Sequence, residues 1–260
     1  MFTLVAAVWL AGQPGGVAPG VAPSSAEAAA QDVAYHAWQK RLESIDSVVA
    51  SVVDLRADFE QRRRTPLLKK PLVSKGVVLT KGEWVRWDTA SPRASSLVIG
   101  GGEIRMYYPA DKLVEVYAVG DGFADLAGAP LPRLRKLKER FDLSPLRSSQ
   151  MGADDANADL VAVRLSPRSA ELRKHVASVS VLLDAVRGVA TKVVMVDPDG
   201  EVTEIVFTNV RTNSGVKDEE LVLKLADDVR VSRPLPSGKT AGPSAGDAKG
   251  SAPAAPEGQP

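Results

Sequence analysis

The sequence predicts an α+β fold dominated by one antiparallel β-sheet. Three patterns carry that expectation: a helix-period apolar stripe, a long series of period-two segments joined by hairpin-sized turns, and a second such series after one short helical interval.

Trp38, Leu42, Ile45, Val49 and Val52 recur at spacings of four, three, four and three, which places them on one face of a helix. From Leu55 the period shortens. Leu55, Ala57 and Phe59 alternate with Arg56, Asp58 and Glu60, and β-rich runs follow at 73–80, 84–87 and 96–99. Lys81-Gly82, Gly100-Gly101-Gly102 and Pro109-Ala110-Asp111-Lys112 separate these runs by hairpin distances, so a meander through Val119 is expected. The second series comprises 160–165, 177–183, 190–196, 202–210 and 221–231, with Asp199-Gly200 as its clearest turn. The sheet is expected to continue through both. Between them, Leu131, Leu134, Leu137 and Phe141 lie three, three and four apart, with Arg133, Lys136 and Arg140 on the other side of a short basic helix. Such a helix either closes over a hollow in a curved sheet or packs on it as any helix would.

The two ends differ from this body. Residues 12–30 and 234–260 are rich in Ala, Gly, Pro and Ser, and Leu235 is the only large apolar residue of the second stretch. Neither can bury enough surface to offset its ordering entropy. The expected organisation is a leader over 1–31, one folded domain over 32–233 and a Pro/Ala/Gly-rich tail over 234–260. The apolar run from Met1 to Ala11 is too short to span a bilayer, and Ala28, Ala29 and Ala30 suit a signal peptidase. It reads as an export signal, although no Lys or Arg precedes it; a disordered alanine-rich leader of a cytoplasmic protein is the plain alternative.

Composition excludes several chemistries. Over 260 residues the formal net charge is +1, which does not favour nucleic acid. The chain has no cysteine, so it offers no disulfide, thiolate metal site or cysteine nucleophile, and cannot itself be lipidated there. His36 and His175, the only histidines, stand beside no recognisable nucleophile or ligand motif. Asp197-Pro198-Asp199-Gly200-Glu201 lacks the alternating ligands and distal Glu of a calcium loop. Gly100 to Gly102 lacks the helix that a phosphate loop needs.

The order of elements from Gly76 to Pro109 resembles the LolA-like outer-membrane lipoprotein carrier family. It runs through a strand and turn, an aromatic strand ending at Trp87, Ser91-Pro92, Leu97-Val98, the turn at Gly100 to Gly102, and Met106-Tyr107-Tyr108-Pro109. A second match lies at Asp199-Gly200-Glu201-Val202-Thr203, followed by Ile205, Phe207, Asn209 and Asn213. The resemblance implies an unclosed, strongly curved antiparallel half-barrel with an N-terminal helix and short lid helices. It also implies a periplasmic monomer that takes acylated lipoprotein or lipid cargo from an inner-membrane exporter to an outer-membrane acceptor, without a cofactor.

On that reading Val85, Trp87, Leu97, Ile99, Met106, Tyr108, Ile205 and Phe207 line the cavity, and Phe123, Leu126, Leu131, Leu134 and Phe141 belong to the lid. Each of these also suits an ordinary core. Met106 and Tyr108 share a strand face, and Met adapts well to varied acyl chains. Arg133, Lys136, Lys138 and Arg140 either face solvent or meet anionic headgroups or an acidic exporter surface. Two features depart from the family pattern. Lys81 stands where the family commonly has the Arg that latches the lid, leaving Lys81 or Arg86 for that role, and Ala226-Asp227-Asp228 replaces the proline before the closing strand. The functional alternative is a half-barrel adaptor that senses or binds a protein partner in the envelope. A lipid-ester hydrolase would need a Ser-His-acid set that two unplaced histidines do not supply.

Overall fold

The computed structural model describes residues 25–118 and 130–234. Helix α1 spans Ser25–Ala50. Its first half belongs to a unit that ends at Ala37, and its second half opens the main unit, which begins at Trp38. In the first unit His36 lies 3.6 Å from Asp32, one helical turn away, and against the Tyr35 ring. In the main unit Leu42, Ile45 and Val49 are buried and Trp38 packs beside them, as their spacing requires.

The main unit is one open sheet of twelve strands among the described residues. In chain order they are β1 (Asp54–Arg64), β2 (Leu72–Lys81), β3 (Trp84–Ser91), β4 (Ser95–Gly100), β5 (Glu103–Tyr108), β6 (Leu113–Ala118), β7 (Phe141–Leu146), β8 (Leu160–Pro167), β9 (Ser178–Asp184), β10 (Val189–Val196), β11 (Val202–Thr212) and β12 (Arg230–Ser232). Helices α2 (Leu134–Arg140) and α3 (Ala170–Arg173) precede β7 and β9. The spatial order is β12-β6-β5-β4-β3-β2-β1-β11-β10-β9-β8-β7. Both series therefore form meanders, and the first strand joins them: β1 pairs antiparallel with β2 on one side and β11 on the other. Every pairing is antiparallel except that of β12 with β6.

Two expectations need correcting. The basic helix is shorter than its apolar spacing implied, because Phe141 leaves it to open β7. That strand, outside both expected series, carries Pro145 near its end; β7 is the sheet's edge, where the backbone N–H that proline lacks is not required. The stretch 221–231 is a strand only at Arg230–Ser232. Before it, the chain leaves β11 and crosses the outer face of the first meander as a strap. Val216 and Leu221 bury against Leu79, with Val77 and Trp84 beside them. Arg86 donates to the carbonyls of Glu220 (3.1 Å) and Val222 (2.7 Å), Lys81 meets Asp218 at 2.7 Å, Arg56 bonds Glu220 and Lys112 bonds Asp228. Two apolar contacts without a period and a set of polar bonds hold this segment, so strand periodicity is absent from it.

Candidate functional site

Alternation along each strand sends one set of side chains to the inner face, where all the meanders meet the second half of α1. This face has two zones. At its base Leu42 and Ile45 of α1, Leu134 and Leu137 of α2, and Phe141 are almost wholly buried among Leu55, Val85 and Ile99. Further along the strands, Trp87, Met106, Val193, Met195 and Ile205 pack on the core yet stay partly exposed. Their strand positions converge: Ile205 pairs with both Gln61 and Val193, and Met195 pairs with Thr203. Together they form an apolar mouth. Arg63 and Glu201 form an ion pair, 2.6 Å apart, at the rim of this face, and Glu115 stands on it opposite Met106.

An aromatic trio spans the middle of the face. The Trp87 ring meets Phe59 edge-on at 5.0 Å and Phe207 at 5.8 Å, although β2 runs between β3 and β1. Gly76 makes that approach possible. It pairs with Phe59, and a Cβ placed on it would lie 2.9 Å from the Phe59 ring and 1.9 Å from the Asp88 carbonyl oxygen. A glycine here keeps a side chain out of the gap that the rings fill.

Helix α2 is tied over the base from two sides. Arg133, at its N-cap, bonds the Gly82 carbonyl in the β2–β3 turn, and Lys136 lies 3.5 Å from Glu83. Across the helix, the Asp46 carboxylate of α1 accepts the backbone N–H groups of Leu134 and Arg135. Burial pushes the Asp46 carboxyl above its ordinary value of 3.8, against the opposing pull of Lys138, these N–H bonds and Arg135. It supplies the cap that Arg133 does not give its own helix.

Of the residues singled out from sequence, Val85, Leu97, Ile99 and Phe207 lie in the buried core, whereas Trp87, Met106 and Ile205 reach the mouth. Tyr108 follows Met106 on the same face, half-buried, and burial raises its hydroxyl pKa, assisted by Glu115 and Asp111. Leu131 packs on the core beside the buried Leu134 and Phe141. Phe123 and Leu126 fall outside the described residues. Lys81 and Arg86, considered for the latch, point outward and hold the C-terminal strap. From the α2 segment it is Arg133 and Lys136 that reach the hairpin, at Gly82 and Glu83. Sequence reasoning gave Arg133 a place on a charged helix face, and no local signal marks its carbonyl partner fifty-one residues away. Val193 and Met195 also escaped notice, since an alternating strand does not reveal which positions face the mouth.

A groove of about 510 Å³ lies across β2, β1 and β11 on the outer face, with Asp58, Glu60, Arg62, Lys75 and Glu204 on its walls. Acidic and basic side chains among its lining do not suit an acyl chain, so the inner face is the candidate site.

The family comparison agrees with this architecture. The family model described as outer membrane lipoprotein carrier protein LolA matches residues 50–222. The chain belongs to the LolA family. That model spans the sheet from β1 into the strap, and the LolA family is one of carriers, binding proteins rather than enzymes. No curated protein matches the chain. Distant likenesses occur among solved structures. An uncharacterized conserved protein from Thermus thermophilus is 13% identical, with a TM-score of 0.46 over 75% of this chain and 98% of that one. A chain of the Pseudomonas aeruginosa MucA/MucB complex is 13% identical, with a TM-score of 0.40 over 72% of this chain and 61% of its own length, so the LolA-family chain spans about three fifths of it. The Mycobacterium tuberculosis lipoprotein LppX is 7% identical, with a TM-score of 0.41 over 70% and 97%. Among the described residues, no helix is long and apolar enough to cross a membrane.

Proposed function

We propose that this protein is a periplasmic carrier that shields the acyl chains of lipoproteins, or of a related acylated lipid, on the inner face of its sheet. It works as a monomer without a cofactor, receiving cargo from an inner-membrane exporter and delivering it to an outer-membrane acceptor. The observation that carries the reading is the mouth: Trp87, Met106, Val193, Met195 and Ile205, five apolar side chains from four strands, left partly exposed on the inner face, with the Arg63–Glu201 ion pair at its rim. Each methylene removed from water there gains about 0.8 kcal/mol, and an apolar, Met-containing wall tolerates chains of different shape. Release follows from the lid. Helix α2 occupies the base with Leu134 and Leu137 and is held by a few polar bonds, so deeper entry of an acyl chain is coupled to its displacement.

The filled base favours a second reading, a half-barrel adaptor that uses the same mouth to bind a protein partner. Native mass spectrometry with lipid extraction, on protein isolated from the periplasm, separates them. Co-purified acylated lipid or lipoprotein, displaced by an acyl competitor, is the carrier outcome. A clean apo mass together with failure to bind acyl probes would sink it in favour of the adaptor.

A further inference from the structure

The hairpin tip between β1 and β2 reads Arg62-Arg63-Arg64-Thr65-Pro66-Leu67-Leu68-Lys69-Lys70-Pro71-Leu72-Val73. Leu67 is 91% exposed and Leu68 48%, and Leu72 and Val73 are exposed behind them. Leu67 buries almost nothing in the folded chain and Leu68 only about half of its surface, so water solvates them at a cost that an apolar partner would remove. The tip is nevertheless shaped. The Leu68 N–H donates to the Thr65 carbonyl (3.2 Å), the Leu67 N–H reaches the Thr65 hydroxyl (3.4 Å), and Pro66 and Pro71 fix φ on either side. Little ordering entropy remains to oppose docking.

Charge surrounds the apex. Arg64, Lys69 and Lys70 are exposed, with Arg62 one step further back, and no acid occurs from Gln61 to Val73. Nearby acids are few. Glu60 pairs with Arg62 and Lys75, and Glu201 of the neighbouring β10–β11 turn is matched by Arg63; Asp197, which accepts the Glu201 N–H, and Asp199 are the opposing charges of that turn.

We propose that this tip docks the protein on an anionic phospholipid bilayer, with Leu67 and Leu68 entering the acyl boundary and Arg64, Lys69 and Lys70 meeting the phosphate layer. The layering decides between a bilayer and an acidic protein. Leucines projecting beyond their cations match a bilayer, whose apolar zone lies beneath its charges; an acidic protein surface would strand them against carboxylates. The register adds the orientation. Arg63 pairs with Leu72 and Thr203, and Thr203 pairs with Met195, so the tip extends from the same end of the sheet as the mouth. A docked tip holds the mouth near the membrane. The inference goes beyond the carrier reading and does not depend on it.

Flotation of the full chain, free of cargo, tests it with vesicles of phosphatidylglycerol and phosphatidylethanolamine against vesicles of phosphatidylcholine. The chain is expected to float with the anionic vesicles and to release as salt is raised. Leu67→Asp with Leu68→Asp should weaken partitioning by about tenfold or more, and Lys69→Glu with Lys70→Glu should remove the preference for anionic lipid. Unchanged thermal melting confirms that both variants fold, as their exposure predicts. Acyl-probe affinity retained in the leucine variant distinguishes lost docking from lost cargo binding. Wild-type protein that stays with the lipid-free fraction at low salt overturns the proposal and leaves an acidic protein as the partner. Equal flotation of wild type and leucine variant overturns it as well, by placing membrane contact elsewhere.

Discussion

Asp54 carries the junction at which the strap leaves the sheet. Its carboxylate accepts the Ser214 N–H (2.8 Å), the Ser214 hydroxyl (3.0 Å) and the Gly215 N–H (3.2 Å), while its carbonyl accepts the Asn213 N–H. Burial alone would raise its pKa, but the bonds from Ser214, Val216 and Gly215 outweigh it and hold the carboxyl below its ordinary 3.8. A carboxyl depressed in the folded state stabilises fully above its unfolded value and loses that contribution as pH falls through the folded value. Asp54→Asn is therefore expected to lower stability by about 1–3 kcal/mol at neutral pH, with the difference from wild type closing in acid below about pH 4. Denaturant titrations at several pH values measure it; a pH-independent difference would contradict the assignment. Gly76 makes an equally local demand. Its alanine variant must push back either Phe59 or the Asp88 backbone, so Gly76→Ala should cost about 1–3 kcal/mol and disturb tryptophan fluorescence from Trp87. An unchanged melting midpoint would show that the gap relaxes freely.

Among the elements, α2 is the one whose stability and function should trade against each other. Asp46 caps it, yet burial holds that carboxyl above its ordinary pKa, so ionisation counts against the packed state: the proton-linked stabilisation is complete below the unfolded value and is lost as pH rises through the folded one. Asp46→Asn keeps an acceptor for the helix and removes the charge, whereas Asp46→Ala removes the acceptor. The alanine variant should speed amide exchange across 134–137 by about fivefold and hasten acyl-probe uptake, while the asparagine variant changes either rate little. Equal behaviour of the two would mean that the cap does not hold the lid. The same element shows where sequence reading stops. Its apolar spacing gave the core face, Leu131, Leu134 and Leu137, because burial imposes a period on one chain segment. Neither Asp46 nor Arg133 could be assigned, because each acts on a backbone group of a distant segment. The strap and β7 escaped for related reasons: one is held by scattered polar bonds and two apolar contacts without a period, and the other carries Pro145 near its end. The two meanders were legible because alternation and turns are local. Asn209 and Asn213, matched only by resemblance, have a physical role: both adopt positive φ, at the β1–β11 register shift and at the start of the strap.

Across the molecule, cargo carriage requires that the inner face open while the sheet stays paired. The arrangement meets this by separating the two functions. The sheet is closed in its middle by β1, which pairs along most of its length with both β2 and β11, and the strap fastens the outer face through Arg86, Lys81 and the Leu79 cluster. The lid and mouth lie on the other face and share none of those bonds. Amide exchange in the presence of an acyl probe should therefore divide by face. Strands β3, β5, β10 and β11 should gain protection around Trp87, Met106, Met195 and Ile205, α2 should lose it, and the strap from Val216 to Val222 should hold its rate. Arg86→Ala should reverse that pattern, freeing the strap by about 1–3 kcal/mol through the two carbonyls it leaves unbonded, with acyl-probe affinity unchanged. If Arg86→Ala instead weakened acyl binding as much as a substitution at the mouth, the two faces would be coupled, and the strap would have to be counted as part of the carrier's gate.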